Sequence, residues 1–143
     1  MAEFMKSVGP STFDDLTSVM ENDIAEYNDL PVKVRRDQTL KLDIDVPSPR
    51  QARLAVVHES QGQEVPKLSL EYEPGSKGVR ISCLYSRRAM TVKPLWESDS
   101  NRTVYQIDDY RYDDMSQISQ KILLPVILYP NLDWSDALQR IRE

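Results

Sequence analysis

The segment that decides the fold is residues 67–83, KLSLEYEPGSKGVRISC. Apolar residues occupy every second position on both sides of the turn sequence PGSKG, and such alternation puts them on one face of a strand. Clusters of Pro and Gly are typical of tight turns. The segment therefore predicts a β-hairpin with one buried and one exposed face. Its apolar positions, with the residue just beyond, are Leu68, Leu70, Tyr72, Val79, Ile81, Cys83 and Tyr85.

Further strands are predicted on both sides of this hairpin. Residues 40–46 alternate cleanly, whereas residues 53–59 are apolar at successive positions, which suggests burial on both faces. Residues 90–96 and 103–107 also read as strands, and Pro94 indicates an edge or a bulge. The links between neighbouring strands are too short for parallel crossovers, so the sheet should be antiparallel.

Helices are predicted at both ends of the chain. Residues 13–28 carry an apolar stripe at spacings of three and four, with Ser11 or Thr12 as the cap, and residues 1–10 are expected to be a flexible N-terminus. Near the other end, Asp114 can cap a second helix that must stop or kink at Pro125. Residues 108–114 are expected to be an acidic loop, residues 126–129 to be extended or a short helix, and Asn131 or Asp133 to cap a final helix.

The predicted architecture is α+β: a single antiparallel sheet of five to seven strands with an N-terminal helix and one or two C-terminal helices. Residues 11–143 should form a single domain, since 143 residues suffice for one core without disulfides or metals. With the helices on one face of the sheet, the opposite face must be solvated or covered by a partner subunit.

The composition disfavours an enzyme. The chain has one cysteine, Cys83, and one histidine, His58, fewer than zinc sites and histidine triads usually need. Four glycines leave little room for a phosphate-binding loop. No catalytic residue, cofactor or metal is predicted, and no apolar run approaches the ~20 residues of a membrane span.

Charge is distributed unevenly along the chain. Residues 1–30 have a net charge of −6, residues 31–96 of +5 and residues 97–143 of −4. One interpretation is internal neutralisation of acidic helices by a basic sheet, and the other is a molecule with two faces of opposite sign that steers charged partners. The candidate partner-binding residues are Asp14, Asp15, Glu21, Arg87, Arg88, Asp108, Asp109 and Asp113.

Two other uses of these charges stay open. The carboxylates of residues 108–114 could chelate Ca²⁺ or Mg²⁺, although they lack the spacing and central Gly of an EF-hand. The basic middle of the chain could bind nucleic acid. That hypothesis is not favoured, because aromatic residues are sparse there and the whole protein is acidic.

One family resemblance is present. The sequence VPKLSLEY at residues 65–72, then a turn, then VRISC at residues 79–83, resembles a strand pair of the mitochondrial acidic matrix protein family, which is related to the complement globular-head-binding protein. An acidic N-terminal helix precedes this pair, and Leu132-Asp133-Trp134 enters a C-terminal helix. The resemblance implies seven antiparallel strands flanked by terminal helices, a homotrimer with asymmetric charge, a location in the mitochondrial matrix and a chaperone-like or scaffolding role.

The sequence thus predicts a non-enzymatic protein-interaction or chaperone-like scaffold module that forms a homo-oligomer and binds a protein partner. An alternative is an acidic secretion-chaperone-like dimer that binds an unfolded client, since such chaperones share this size and an isoelectric point near 5.0. A nucleic-acid-binding or metal-binding protein is a further alternative. The expected location is the mitochondrial matrix if the resemblance holds and the cytoplasm otherwise.

Overall fold

The computed structural model describes residues 2–30, 40–58, 62–86, 88–108 and 110–142, with side chains from Thr12 to Ile141. Within these residues, one helix precedes seven strands and two helices follow them, as the sequence predicts. The elements are α1 (Ala2–Asp29), β1 (Leu40–Ser48), β2 (Gln51–His58), β3 (Gln63–Glu73), β4 (Gly78–Cys83), β5 (Ala89–Glu97), β6 (Arg102–Ile107), β7 (Tyr110–Tyr112), α2 (Met115–Leu128) and α3 (Trp134–Arg142).

The seven strands form one sheet in the order β1-β2-β3-β4-β5-β6-β7, and every neighbouring pair is antiparallel. The predicted hairpin is β3–β4, in which Leu70 lies opposite Ile81 and Leu68 lies opposite Cys83. All four side chains are buried, which confirms the predicted parity of the two strands.

The core lies between one face of the sheet and the helices, and we call that face the inner face. Alternate residues of β1 to β6 point into it and meet the apolar stripes of α1, α2 and α3. The largest fully buried side chains are Phe13, Leu16, Met20, Leu54, Leu68, Leu70, Ile81, Ile107, Ile118, Ile122, Val56 and Val79.

Helix α1 crosses the inner face from β6 to β1. Midway along the helix, Asp15 lies close enough to Tyr105 of β6 to act on it: burial raises the pKa of the Tyr105 hydroxyl, and the charge of Asp15 adds to this. Near its end, the side-chain amide of Asn28 bonds to both backbone groups of Leu42 in β1. Asn28 Nδ2 donates to Leu42 O at 2.8 Å, and the Leu42 N–H donates to Asn28 Oδ1 at 3.0 Å. The helix therefore covers the inner face across most of its width.

The beginning of α1 differs from the prediction. The helix begins at Ala2, so the predicted cap at Ser11 or Thr12 is wrong, and residues 2–10, expected to be a flexible N-terminus, are helical. The end of the helix at Asp29 agrees with the prediction to one residue. The apolar stripe starts only at Phe13, and periodicity alone therefore places the helix start too late.

The C-terminal helices agree with the predicted caps. Asp114 accepts a hydrogen bond from the Gln117 backbone N–H at 3.1 Å and caps α2, and Asp133 accepts one from the Ser135 backbone N–H at 3.2 Å at the start of α3. Of the two outcomes predicted at Pro125, a stop or a kink, the stop is wrong, because α2 continues to Leu128. The proline lacks one N–H and so removes one i→i−4 hydrogen bond, but its own carbonyl accepts from the Tyr129 N–H at 3.0 Å, so helical bonding resumes beyond it.

Two strand features also refine the prediction. Residues 108–114, expected to be a loop, contain the short strand β7, whose tyrosines alternate around Arg111 as in a strand. Pro94 lies in an interior strand, but the pairing of β5 with β4 ends at Val92, so no β4 residue stands opposite Pro94. At Pro94, β5 therefore has no neighbour on the β4 side, which is the kind of edge position that a proline in a strand indicates.

The opposite face of the sheet, here called the outer face, is covered by none of the described elements. Its side chains are mostly polar, and opposite charges stand across neighbouring strands, as in Asp45 opposite Arg53 and Glu71 opposite Arg80. Ala55 and Val104 are buried within this face by their neighbours. The predicted burial of β2 on both faces is thus confirmed at Leu54 and Ala55.

Candidate functional site

A groove of about 390 Å³ runs between α1 and α2 on the surface of the helical layer, and we call it the α1–α2 groove. Its apolar lining includes two large side chains that stay well exposed, Leu30 at 40% and Leu124 at 43%. Soluble proteins often use an apolar surface bordered by polar residues to bind a partner. The full lining is Asp23, Glu26, Tyr27, Leu30, Gln120, Leu123, Leu124 and Ile127.

Helical periodicity places each wall of the groove. On α1, Asp23 and Glu26 share one side of the helix, next to the stripe that enters the core. Leu30 follows on that side just beyond the end of the helix, where its N–H donates to Tyr27 O at 3.2 Å. On α2, Leu123 is buried, whereas Leu124 points outward. The groove is therefore the seam where two amphipathic helices meet above the core.

A hydrogen bond fixes the distance between the two walls. Ser119 of α2 is fully buried, and its hydroxyl donates to Asp23 Oδ2 at 2.7 Å. Hydrogen bonds to a charged acceptor are stronger than neutral ones and contribute about 1.5–3 kcal/mol. This bond joins α1 to α2 beside the groove and keeps the Asp23 carboxylate on its wall.

Among the residues that the structure describes, the charge around the groove is negative. Between Asp14 and Asp29, α1 carries six acidic residues and no basic one. The single base of α2, Lys121, lies over the rings of Tyr110 and Tyr112, with its Nζ 5.5 Å from each ring centroid. Because these contacts hold Lys121 on the side of β7, the ammonium group is directed away from α1.

A second cavity, of about 380 Å³, lies where α3 meets the turn between β4 and β5. Arg88 of that turn donates from Nη1 to Ser135 Oγ at 2.8 Å and to Asp136 Oδ1 at 3.1 Å. These contacts attach the turn to the first residues of α3. The cavity is lined by Cys83, Arg88, Ala89, Met90, Trp134, Ser135, Leu138 and Gln139.

Three ionisable residues lie beside this second cavity, and none was predicted as a site: Lys67, Cys83 and Asp133. Lys67 is the extra residue of a β-bulge between the pairs Leu54–Leu68 and Ala55–Pro66. Its side chain is only 7% exposed, and Nζ donates to Leu132 O at 3.3 Å in the turn between α2 and α3. Burial lowers the pKa of the Lys67 ammonium, and the charge of Asp133 partly opposes this.

Cys83 lies near the same turn. Burial raises the pKa of the Cys83 thiol, a hydrogen bond with Ser86 opposes the shift, and the charge of Asp133 adds to it. A thiol with a raised pKa is a weak nucleophile because the thiolate is the reactive form. Asp133 Oδ1 is buried without a hydrogen-bond partner, while its Oδ2 caps α3. This cluster therefore positions the α2–α3 turn.

The predicted partner-binding residues are spread over separate elements. Asp14, Asp15 and Glu21 lie on the exposed surface of α1, the helix that also forms one wall of the groove. Arg88 is attached to α3, as described above. Arg87 and Asp109 lie outside the described residues.

The remaining predicted residues belong to the region around β7. Asp113 accepts a hydrogen bond from Arg102 Nη2 at 3.0 Å, and Asp108 adopts a left-handed backbone conformation, φ 53°, in the turn between β6 and β7. Within the described ranges, no three His, Cys, Asp or Glu side chains are grouped as ligands for a metal ion. Nor does any described helix combine the length and apolarity required to cross a bilayer.

Sequence reasoning missed the groove, although one signal was present. Ile122, Leu123 and Leu124 are consecutive in a helix, where successive side chains point about 100° apart. Three such residues cannot all face the same core, so one must remain outside. Which residue remains exposed, and beside which helix, depends on how α1 and α2 pack.

Searches of family models, curated proteins and solved structures find no match to this chain.

Proposed function

We propose that this protein is a non-enzymatic, chaperone-like interaction module that binds other polypeptides in the α1–α2 groove. The observation that carries the proposal is the pair of exposed leucines, Leu30 and Leu124, in a groove with carboxylates on its walls. Exposing leucine to water gains nothing for folding, since burying it contributes about 1.5–3 kcal/mol. A binding role explains why these side chains are apolar.

The chemistry of the other cavity supports a non-enzymatic role. Lys67 is hydrogen-bonded to a backbone carbonyl, Arg88 is paired with Asp136, and burial keeps the Cys83 thiol protonated. Each of these groups stabilises the junction between the sheet and α3. A catalytic site needs a nucleophile or base that can reach a substrate. Side chains that are already bonded or buried within the fold are poorly placed to do so.

The order of the elements also supports the proposal. Seven antiparallel strands flanked by terminal helices are what the resemblance to mitochondrial acidic matrix proteins implies, and the order of the elements agrees with this. We accordingly propose a homo-oligomer, with the outer face of the sheet available to a second copy, and a location in the mitochondrial matrix. Light scattering tests the first point, since a strictly monomeric mass at micromolar concentration would contradict it.

Selection from a peptide display library tests whether the groove binds polypeptides. The purified protein should enrich a set of related peptides, and Leu124→Ser should weaken their binding at least about tenfold because it removes an apolar contact from the groove. Affinity is measured by isothermal titration calorimetry on the enriched peptides.

The chain offers a matched control in Leu84, which is 41% exposed in the turn after β4. Leu84→Ser removes an equally exposed leucine far along the chain from both helices and should leave peptide affinity unchanged. Absence of any enriched peptide, or equal loss of affinity in both variants, would contradict the proposal.

A further inference from the structure

We infer that the occupant of the α1–α2 groove is a basic amphipathic helix of a partner protein. This inference rests on the proposed function and adds the partner's conformation and charge. Two features of the groove carry it: the nature of its walls and the sign of its charge.

The walls require the bound segment to satisfy its own backbone. Both walls are α-helices, so apart from the last carbonyls at the C-terminal ends of α1 and α2 their backbone groups are hydrogen-bonded within each helix, and the groove offers no free backbone ladder. A partner in extended conformation would leave one side of its backbone without protein acceptors and donors. A helix makes these bonds internally, which is how amphipathic helices dock into apolar grooves elsewhere.

The sheet edge beside α1 is unsuited to accepting an added strand. In β1, the outward-facing N–H and C=O of Leu42 are already hydrogen-bonded to the Asn28 amide. Pro47 follows within the same strand, and proline has no N–H to donate. Strand addition at this edge is therefore opposed at Leu42, near the start of β1, and at Pro47, near its end.

The sign of the charge selects a basic partner. Glu26 is exposed on the rim of the groove, and Asp23 lies on its wall. Beyond the groove, Asp29 lies three residues after Glu26 and so continues the same side of α1. Lys and Arg on the polar face of a docked helix would lie opposite this surface, whereas Glu and Asp would be repelled.

The exposed leucines mark where the apolar face of the partner would lie. Leu124 stands on the ridge of α2, where it also lines a smaller depression of about 330 Å³ on the side of α3. Leu30 lies at the far end of α1. A helix with leucines at i, i+3, i+4 and i+7 can place one anchor beside Leu124 and others along the groove toward Leu30.

Three synthetic peptides of about 18 residues test the inference, since helices much shorter than this are marginal in water. The first has leucines at the amphipathic spacing and lysines elsewhere, the second replaces every lysine with glutamate, and the third has the first peptide's composition in scrambled order. Fluorescence anisotropy measures the affinity of each labelled peptide. We expect the basic amphipathic peptide to bind at least about tenfold tighter than either of the others.

Protein variants locate the binding. Leu124→Ser should lower the affinity of the basic peptide at least about tenfold, whereas Leu84→Ser should not. Glu26→Gln should lower it about threefold at low salt and less at high salt, while Glu64→Gln, an exposed carboxylate of β3, should have no effect. Circular dichroism confirms that each variant keeps the native melting curve.

The outcomes separate the two proposals. Equal binding of the basic and acidic peptides would overturn the inferred charge, and equal binding of the scrambled peptide would overturn the inferred helix, while the groove would still bind polypeptides. Binding that Leu124→Ser leaves unchanged would overturn the groove itself, and the proposed function with it.

Discussion

Gly78 shows how a single residue sets the spacing of two strands. A Cβ added at this position would stand 2.1 Å from the Val92 carbonyl oxygen, closer than any real contact of that kind. Because the obstacle is backbone, β4 and β5 would have to separate. Glycine is thus required here by close approach of two main chains, and not by a left-handed conformation.

We expect Gly78→Ala to lower the free energy of unfolding by about 2 kcal/mol, as overpacked sites do. Urea denaturation measures the change. Gly75 is the matched control, because nothing lies within 4 Å of a Cβ built there. Gly75→Ala should be neutral or stabilise the protein slightly, and an equal loss in both variants would show that β4 and β5 are not in close contact.

Asp114 links stability to acid pH. A hydrogen bond from the Ser116 hydroxyl, followed by one from the Gln117 backbone N–H, holds the pKa of this carboxyl below its ordinary value. A carboxyl whose pKa falls on folding stabilises the native state above its unfolded pKa. That contribution is lost as the pH falls through the folded pKa.

Asp114→Ala should therefore lower the melting temperature at neutral pH. The melting temperature of this variant should also decrease less than that of the wild type as the pH is lowered. Asp114→Asn should cost less at neutral pH, since asparagine is a good helix cap, and should flatten the acid fall equally. Thermal melting followed by circular dichroism between pH 2 and 7 gives both quantities. An acid limb identical in all three proteins would contradict the role of this carboxyl.

At the scale of elements, the end of α1 protects the first edge of the sheet. Asn28 takes the place of a neighbouring strand at Leu42, because its amide supplies one donor and one acceptor to the backbone. Asp43 and Asp45 add charge along the same strand. Proteins use such devices to prevent edge-to-edge aggregation.

We expect Asn28→Ala to lower the free energy of unfolding by about 2 kcal/mol, because two backbone groups lose their partners. Hydrogen exchange should show faster exchange at the Leu42 amide. Asn22→Ala changes an exposed asparagine of the same helix and should have little effect. Unchanged exchange at Leu42 in the Asn28 variant would show that the amide does not occupy the edge.

Local patterns predicted the hairpin of β3 and β4 and the caps at Asp114 and Asp133, because each depends on residues close together in sequence. The groove could not be predicted in this way, since it depends on how α1 packs on α2 across almost 100 residues. The burial of Lys67 was also missed. A one-residue bulge turns that side chain inward, and no periodicity signals a bulge.

At the scale of the whole molecule, the single cysteine reports on the integrity of the core. Cys83 is 4% exposed, and burial raises the pKa of its thiol. Both effects oppose alkylation, which requires an accessible thiolate. Reaction should therefore wait for the fold to open.

We expect iodoacetamide to label native Cys83 at least about 100-fold more slowly than the unfolded chain, since opening a core costs several kcal/mol. Mass spectrometry follows the labelling. A variant carrying both Cys83→Ala and Leu84→Cys moves the thiol to the exposed neighbouring position and should react rapidly. Rapid labelling of the native protein would place Cys83 outside the core.

The distribution of charge over the folded molecule favours partner recognition on the helical side. On the outer face of the sheet, acids stand opposite bases across neighbouring strands, whereas α1 carries only acids among its charged residues between Asp14 and Asp29. The excess of acidic residues is thus concentrated on α1. A basic partner is attracted to the same side on which the apolar groove lies.

The most direct test of the account is to map the contact surface of the basic amphipathic peptide by ¹H–¹⁵N NMR. If the α1–α2 groove is the docking site, amide shifts will change along residues 23–30 and 120–127, while Arg80 and Lys93 on the outer face stay unchanged. Shifts confined to the outer face, or no shifts at saturating peptide, would contradict it.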